Sequence, residues 1–133
     1  MSETDLQGKT VLVVGGETEL GRVILIGLAE AGADIAVASL TSDTKAEFAI
    51  NSALNEVWAL GRKGLALAID ASDAEMLRRG VEQAESELGT LDLVVTIGGV
   101  ATEALAGRDT IELAPDAAQD EALTTIKVRL QGG

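Results

Sequence analysis

The residues best suited to chemistry lie in one short stretch, Gly15-Gly16-Glu17-Thr18-Glu19-Leu20-Gly21. It follows an apolar, mostly β-branched run, Val11 to Val14, and leads into an apolar pattern at helical spacing. The order is strand, tight glycine turn, helix. The chemistry such a turn can do is anion binding. A helix N-terminus carries unpaired N–H groups and partial positive charge, and glycines let a phosphate approach them. Two carboxylates, Glu17 and Glu19, stand in the same turn and oppose that use. A like charge at about 5 Å, with an effective dielectric near 20, costs roughly 3 kcal/mol. That is about two decades of affinity, unless both side chains swing into solvent. Thr18 has a hydroxyl that either bonds a phosphate or caps the helix.

Other chemistry is scarce. The chain has no histidine, cysteine or tyrosine. The commonest general base, the commonest zinc ligands, thiol nucleophiles and a phenolic acid are therefore absent from its 133 residues. Glu82, Glu85 and Glu87 read as a solvated helix face, since Glu87 falls two positions past Glu85 and turns away. We expect no metal site. Trp58 reads as half-buried packing.

The elements that must position the turn follow from periodicity. Leu20 to Ala31 forms a helix with Val23, Ile24, Gly27, Leu28 and Ala31 on one face, stopped by Gly32. Asp34 to Ser39 is a second strand. Thr41, Ser42 and Asp43 offer caps to a long helix from about Lys45 to Leu60, buried along Ile50, Leu54, Val57 and Gly61. Leu65 to Ile69 is a third strand. Ser72 to Glu75 has the S-x-x-E form of a capping box. The helix it opens buries Leu77, Val81, Ala84 and Leu88 and stops at Gly89. Leu91 to Ile97 is a fourth strand, ended by Gly98 and Gly99.

This β-α-β-α-β-α-β order predicts an α/β fold with a doubly wound parallel sheet, three layers deep, in the order 3-2-1-4. A single domain accounts for residues 1–133, with 1–99 carrying the alternation. Beyond Gly99 the pattern is weaker. Val100 to Pro115 reads as loop or short helix and Asp116 to Leu123 as helix. Thr125 to Leu130 alternates polar and apolar, as an edge strand does.

Composition narrows the function class. At 47% hydrophobic with one proline, the chain is not disordered. Ten basic against 22 acidic residues, net −12, argue against nucleic acid and against an anionic membrane surface. Met1 to Gly8 is polar and no apolar run reaches membrane-spanning length, so we expect a cytoplasmic protein.

Four segments together resemble the N-terminal half of the short-chain dehydrogenases/reductases. LQGKTVLVVGG followed by ELGR is similar to the family's strand and T-G-x-x-x-G-x-G turn. AGADIAVAS is similar to its second strand, IDASD to its D-V-T-D segment, and LDLVVTIGGVA to its L-D-x-L-V-N-N-A-G segment. The likeness covers Leu6 to about Ala101. It implies a Rossmann-like domain, truncated relative to the family, that binds NAD or NADP. It places Gly15, Thr18, Leu20 and Gly21 around the pyrophosphate. Ser39 falls where an acidic residue would hold the adenosine ribose. Asp70 and the Ala71 backbone fall at the adenine, and Gly98 and Gly99 against the inner ribose.

The departures are equally specific. Val14 replaces the family's leading Thr, Glu19 its middle Gly, and Thr96-Ile97-Gly98-Gly99 its N-N-A-G. No acid ends the second strand, and Leu40 rather than an arginine follows Ser39. Absence of the acid favours NADP, while Glu17 opposes it. The family's Ser and Y-x-x-x-K have no counterpart here. The resemblance thus implies a dinucleotide-binding domain of oxidoreductase lineage with no catalytic residue of its own. The alternatives are a non-enzymatic subunit whose exposed apolar surface docks on a partner or a second copy, and half of a split enzyme.

Overall fold

The structure, a computed structural model, describes residues 6–132. Most of the polar N-terminal stretch expected over Met1–Gly8 falls in residues 1–5, outside the described residues. Five strands form one sheet: β1 (Thr10–Val14), β2 (Asp34–Ala38), β3 (Gly64–Leu67), β4 (Leu93–Ile97) and β5 (Thr110–Leu113). Every pairing is parallel and the order is β3-β2-β1-β4-β5. The expected 3-2-1-4 core is present, and β5 extends it beyond β4.

Four α-helices cover the sheet: α1 (Glu19–Glu30), α2 (Thr44–Ala59), α3 (Ala74–Leu88) and α4 (Gln119–Gly132). A 3-10 turn, Thr102–Leu105, lies between β4 and β5. The chain winds left from β1 through β3, crosses over, and winds right through β5. Right-handed crossovers then put α1 and α2 on one face and α3 on the other. The core divides accordingly. Val11, Val13, Ile35, Val37, Val95 and Ile97 pack with α1, α2 and α4. Leu12, Val14, Ala36, Ala38 and Val94 pack with α3 and the 3-10 turn. All five residues of β1 and of β4 are buried, as central parallel strands require.

The tail departs from expectation. Thr125 to Leu130 is not an edge strand but the middle of α4, and the edge strand comes from Thr110–Leu113 instead. Helical spacing explains the burial: Ala122, Ile126 and Leu130 are buried four apart, while Val128 is 61% exposed. Alternation would have put Ile126, Val128 and Leu130 on one side. Leu123 brings α4 against α1 at Gly27.

The capping box is corrected as well. Asp73, not Ser72, caps α3, its Oδ1 accepting from the amides of Glu75 and Met76. Trp58 is 54% exposed on α2. Glu85 does not simply face solvent, since it forms a two-pronged ion pair with Arg108 at 2.8 and 3.2 Å, tying α3 to the approach to β5. The carboxylate beside Arg108 pushes the guanidinium further into its charged form. Among the described residues no group of acids forms a metal-binding cluster.

Candidate functional site

The order of the sheet reverses between β1 and β4, and crevices in open α/β sheets form outside the strand ends at such a point. The turn after β1 sits there. Gly15 has φ +105°, a backbone state that L side chains rarely adopt. Its own Cβ would also lie 2.8 Å from Ile97 Cβ at the end of β4. The amides of Gly15 and Gly16 both donate to Ala38 O at the end of β2, at 2.8 and 3.2 Å. The turn is thus clamped between its two neighbouring strands.

Thr18 is the N-cap of α1. Its hydroxyl donates to Gly15 O at 2.7 Å and accepts from Gly21 N at 2.9 Å. Of its two open roles, the cap is the one the structure realises. Gly21 is seated against the turn: a Cβ there would stand 2.2 Å from Gly15 O. These glycines are required by the protein's own packing, whether or not an anion sits beside them. Leu20 is buried, so only its backbone is placed to serve a ligand. Helix geometry leaves the amides of Glu19 and Leu20 without intrahelical acceptors. Glu19 is exposed at the first helical position, where a carboxylate complements the helix dipole.

Glu17 does something the sequence does not announce. Its Oε2 accepts from Leu40 N at 2.8 Å, bridging the turn to the segment after β2. Its Oε1 is buried and takes no donor among the described residues.

Ser39 is fully buried and its hydroxyl is engaged twice. It donates to Ile69 O and accepts from Ile69 N, both at 2.9 Å. It closes the β2–β3 seam and does not face the crevice as a ribose ligand would.

The Ala71 amide is also taken, donating to Leu40 O at 2.9 Å, while Ala71 O accepts from Ala101 N at 2.9 Å. Asp70 Oδ1 accepts from the hydroxyl of Ser72 at 2.6 Å and its amide at 3.0 Å. Those bonds hold the Asp70 carboxyl below its ordinary value of 3.8. Because the folded value is the lower one, this contribution is complete above the unfolded value and is lost as pH falls through the folded one.

Gly98, with φ +93°, donates to Leu113 O at 3.1 Å and lies between Leu40 and Pro115. Gly99 opens onto free space.

The turns after β1, β2, β3 and β4 are thus laced by one thread, Glu17 to Leu40 to Ala71 to Ala101. Leu40 is its shared member. No sequence signal marks it, because its partners lie 23 and 31 positions away. For a dinucleotide, the fit is uneven along the crevice. The opening amides of α1 suit a diphosphate, whereas Glu17 Oε1 is buried and turned away from any ligand in the crevice. Ser72 engages only Oδ1 of Asp70 among the bonds that hold its carboxylate. The Ala71 amide does not fit an adenine, because Leu40 O already holds it.

Thr96 lies on β4 where the resemblance expects asparagine. It is fully buried, and its Oγ1 has no partner among the described residues. Strand alternation puts it on the α3 side with Val94. A buried orphan hydroxyl costs about 1–3 kcal/mol, and an apolar group of the same shape removes that cost. Thr96→Val is expected to stabilise the fold by about 1 kcal/mol, read as a higher denaturant midpoint at unchanged slope. A destabilised variant would mean that the hydroxyl has a partner.

Comparison with known proteins agrees with this fold. The family model described as short chain dehydrogenase matches residues 9–132. L-rhamnose 1-dehydrogenase (NAD(P)(+)) of Sphingomonas sp. strain SKA58 is 37% identical over 95 residues, 71% of this chain and 36% of that one. A blue fluorescent protein from a metagenomic library, solved with NADPH, superposes with TM-score 0.64 at 34% identity, over 68% of this chain and 36% of that one. A short-chain type dehydrogenase/reductase from Mycobacterium marinum superposes with TM-score 0.63 at 25% identity, over 98% of this chain and 49% of that one. The chain spans about a third of the length of the curated relatives it matches.

Proposed function

Because the chain belongs to the short-chain dehydrogenase family, we propose that it is the dinucleotide-binding part of an NAD(P)-dependent oxidoreductase. The observation that carries this reading is the intact strand–glycine turn–helix unit at the point where the sheet order reverses, between β1 and β4. The opening amides of α1 hold the diphosphate there, with Thr18 fixing the first turn of the helix from behind. Gly99 leaves room beside β4 for the inner ribose, and Asp70 offers an acceptor for the adenine amino group. When bound, the nicotinamide supplies hydride transfer. A relative superposed on this fold was solved with NADPH, which supports the same use of the crevice here.

The chain itself has no tyrosine, so proton transfer by a Y-x-x-x-K pair is not among its tasks. Its own contribution is to bind and orient the cofactor. Calorimetric titration of the full chain with NADH and NADPH tests the reading. At least one is expected to give a one-to-one isotherm with a dissociation constant below about 1 mM, or roughly −4 kcal/mol. Absence of heat from both at that concentration would overturn it.

A further inference from the structure

We propose that Glu17, a residue of the glycine turn, makes the crevice select a dinucleotide whose adenosine ribose carries a free 2′-hydroxyl over one carrying a 2′-phosphate. The inference rests on the dinucleotide reading above and concerns which of the two cofactors is taken.

Two groups at the end of β2 could meet that ribose, and neither remains open. The Ser39 hydroxyl is buried and engaged with both backbone groups of Ile69. The next donor along, Leu40 N–H, is the one a phosphate oxygen would seek. It already donates to Glu17 Oε2 at 2.8 Å. The carboxylate therefore stands where a 2′-phosphate would have to be received. No basic residue lies between Ala38 and Thr44 to offset it. Asp43 adds a second carboxylate nearby in sequence, bonded to Ala46 N and to the Thr41 hydroxyl. Lys45 follows, exposed on the first turn of α2.

A carboxylate anchored by a backbone amide is a good acceptor for a vicinal diol. Glu17 keeps acceptor capacity for it, since Oε2 has a second lone pair beyond its bond from Leu40 N. A ribose hydroxyl can donate to it. A phosphate dianion at the same place has no proton to donate and repels it. Like charges about 5 Å apart at the edge of a protein discriminate on the order of 100-fold. The selecting acid is thus delivered from the turn after β1, although β2 ends without one.

The test is calorimetry on the full chain and on Glu17→Gln, titrated with NADH, NADPH, AMP and 2′,5′-ADP. The wild-type chain is expected to bind NADH about 100-fold more tightly than NADPH, and AMP ahead of 2′,5′-ADP. Gln keeps an oxygen for Leu40 N and loses the charge, so it should tighten NADPH at least about 10-fold while moving NADH less than about threefold. Glu17→Ser, which removes both, guards against a Gln variant that fails to fold, with thermal unfolding of each variant measured alongside. Equal binding of NADH and NADPH by the wild type, or an unchanged ratio in folded variants, overturns the inference and leaves the dinucleotide reading standing. Binding that appears in the variants alone would make Glu17 a plug, and it overturns the inference together with the dinucleotide reading of the wild-type chain. Failure of every protein to bind any of the four removes the inference together with the reading beneath it.

Discussion

Gly21→Ala should destabilise the chain by about 3 kcal/mol or more, a large part of the 5–15 kcal/mol that holds a domain of this kind together. A methyl group at Gly21 would lie 2.2 Å from Gly15 O and 2.9 Å from Thr18 Oγ1. The first of these is backbone. It cannot rotate away, and it is held in place because the Gly15 and Gly16 amides are fixed to Ala38 O. Alanine's better helix propensity returns only about 1 kcal/mol. The variant would have to pull α1 off the turn, opening the contact between Thr18 and Gly21 that starts the helix. Chemical denaturation with a circular-dichroism readout measures the loss. Gly132→Ala is the control, since it lies at the last position of α4 with open space around it. It should stay within about 0.5 kcal/mol of wild type or gain slightly. A Gly21→Ala chain as stable as the control would show that the turn is not seated as described.

The second large effect separates two conformations of the tail. Ile126→Ala is expected to cost about 3 kcal/mol, because the side chain is fully buried among α1, α4 and the sheet. Val128→Ala should cost less than about 0.5 kcal/mol, since that side chain is 61% exposed. Leu130→Ala, with 4% exposure, should resemble Ile126→Ala. The pattern large, small, large at 126, 128 and 130 belongs to a helix. A strand burying one face would give three similar losses. Equal effects at all three positions would overturn the assignment of α4.

The central architecture was legible because its signals were redundant. Val11 to Val14, set between a polar start and a glycine turn, read as a doubly buried strand, and the stripe Ile50, Leu54 and Val57 as one face of a helix. Each βα repeat repeated that message, so small errors at the ends did not matter. Those errors had local causes. Ser72 and Asp73 are both capping residues in adjacent positions, and only the bond of Ser72 back to Asp70 left Asp73 as the cap. In the tail, Thr110 to Leu113 and Thr125 to Leu130 both alternate. Four to six residues cannot separate a period of two from one of 3.6. The free edge of β4 and the open flank of α1 made that choice.

The places of the candidate residues along the strand ends were legible; their contacts were not. Gly21 falls in the first turn of α1, and Gly15, Thr18, Asp70, Gly98 and Gly99 on the segments that follow the strands. Ser39 and the Ala71 amide fall there too, but each is already bonded within the protein. Glu17 read only as a charge opposing phosphate, until its bond to Leu40 N gave it an orientation.

The sequence by itself determined the alternation of strands and helices, the acidic balance and the absence of tyrosine from these 133 residues. These are properties of residue type and of spacing along the chain, which short-range sterics and hydrophobic periodicity translate directly. The tertiary structure alone decided which segment completes the sheet, which acids face inward, and which amides are left for a ligand. Those outcomes depend on pairs more than twenty positions apart, such as Glu17 with Leu40 and Leu40 with Ala71, and such pairs exist only once the sheet has brought its strand ends together.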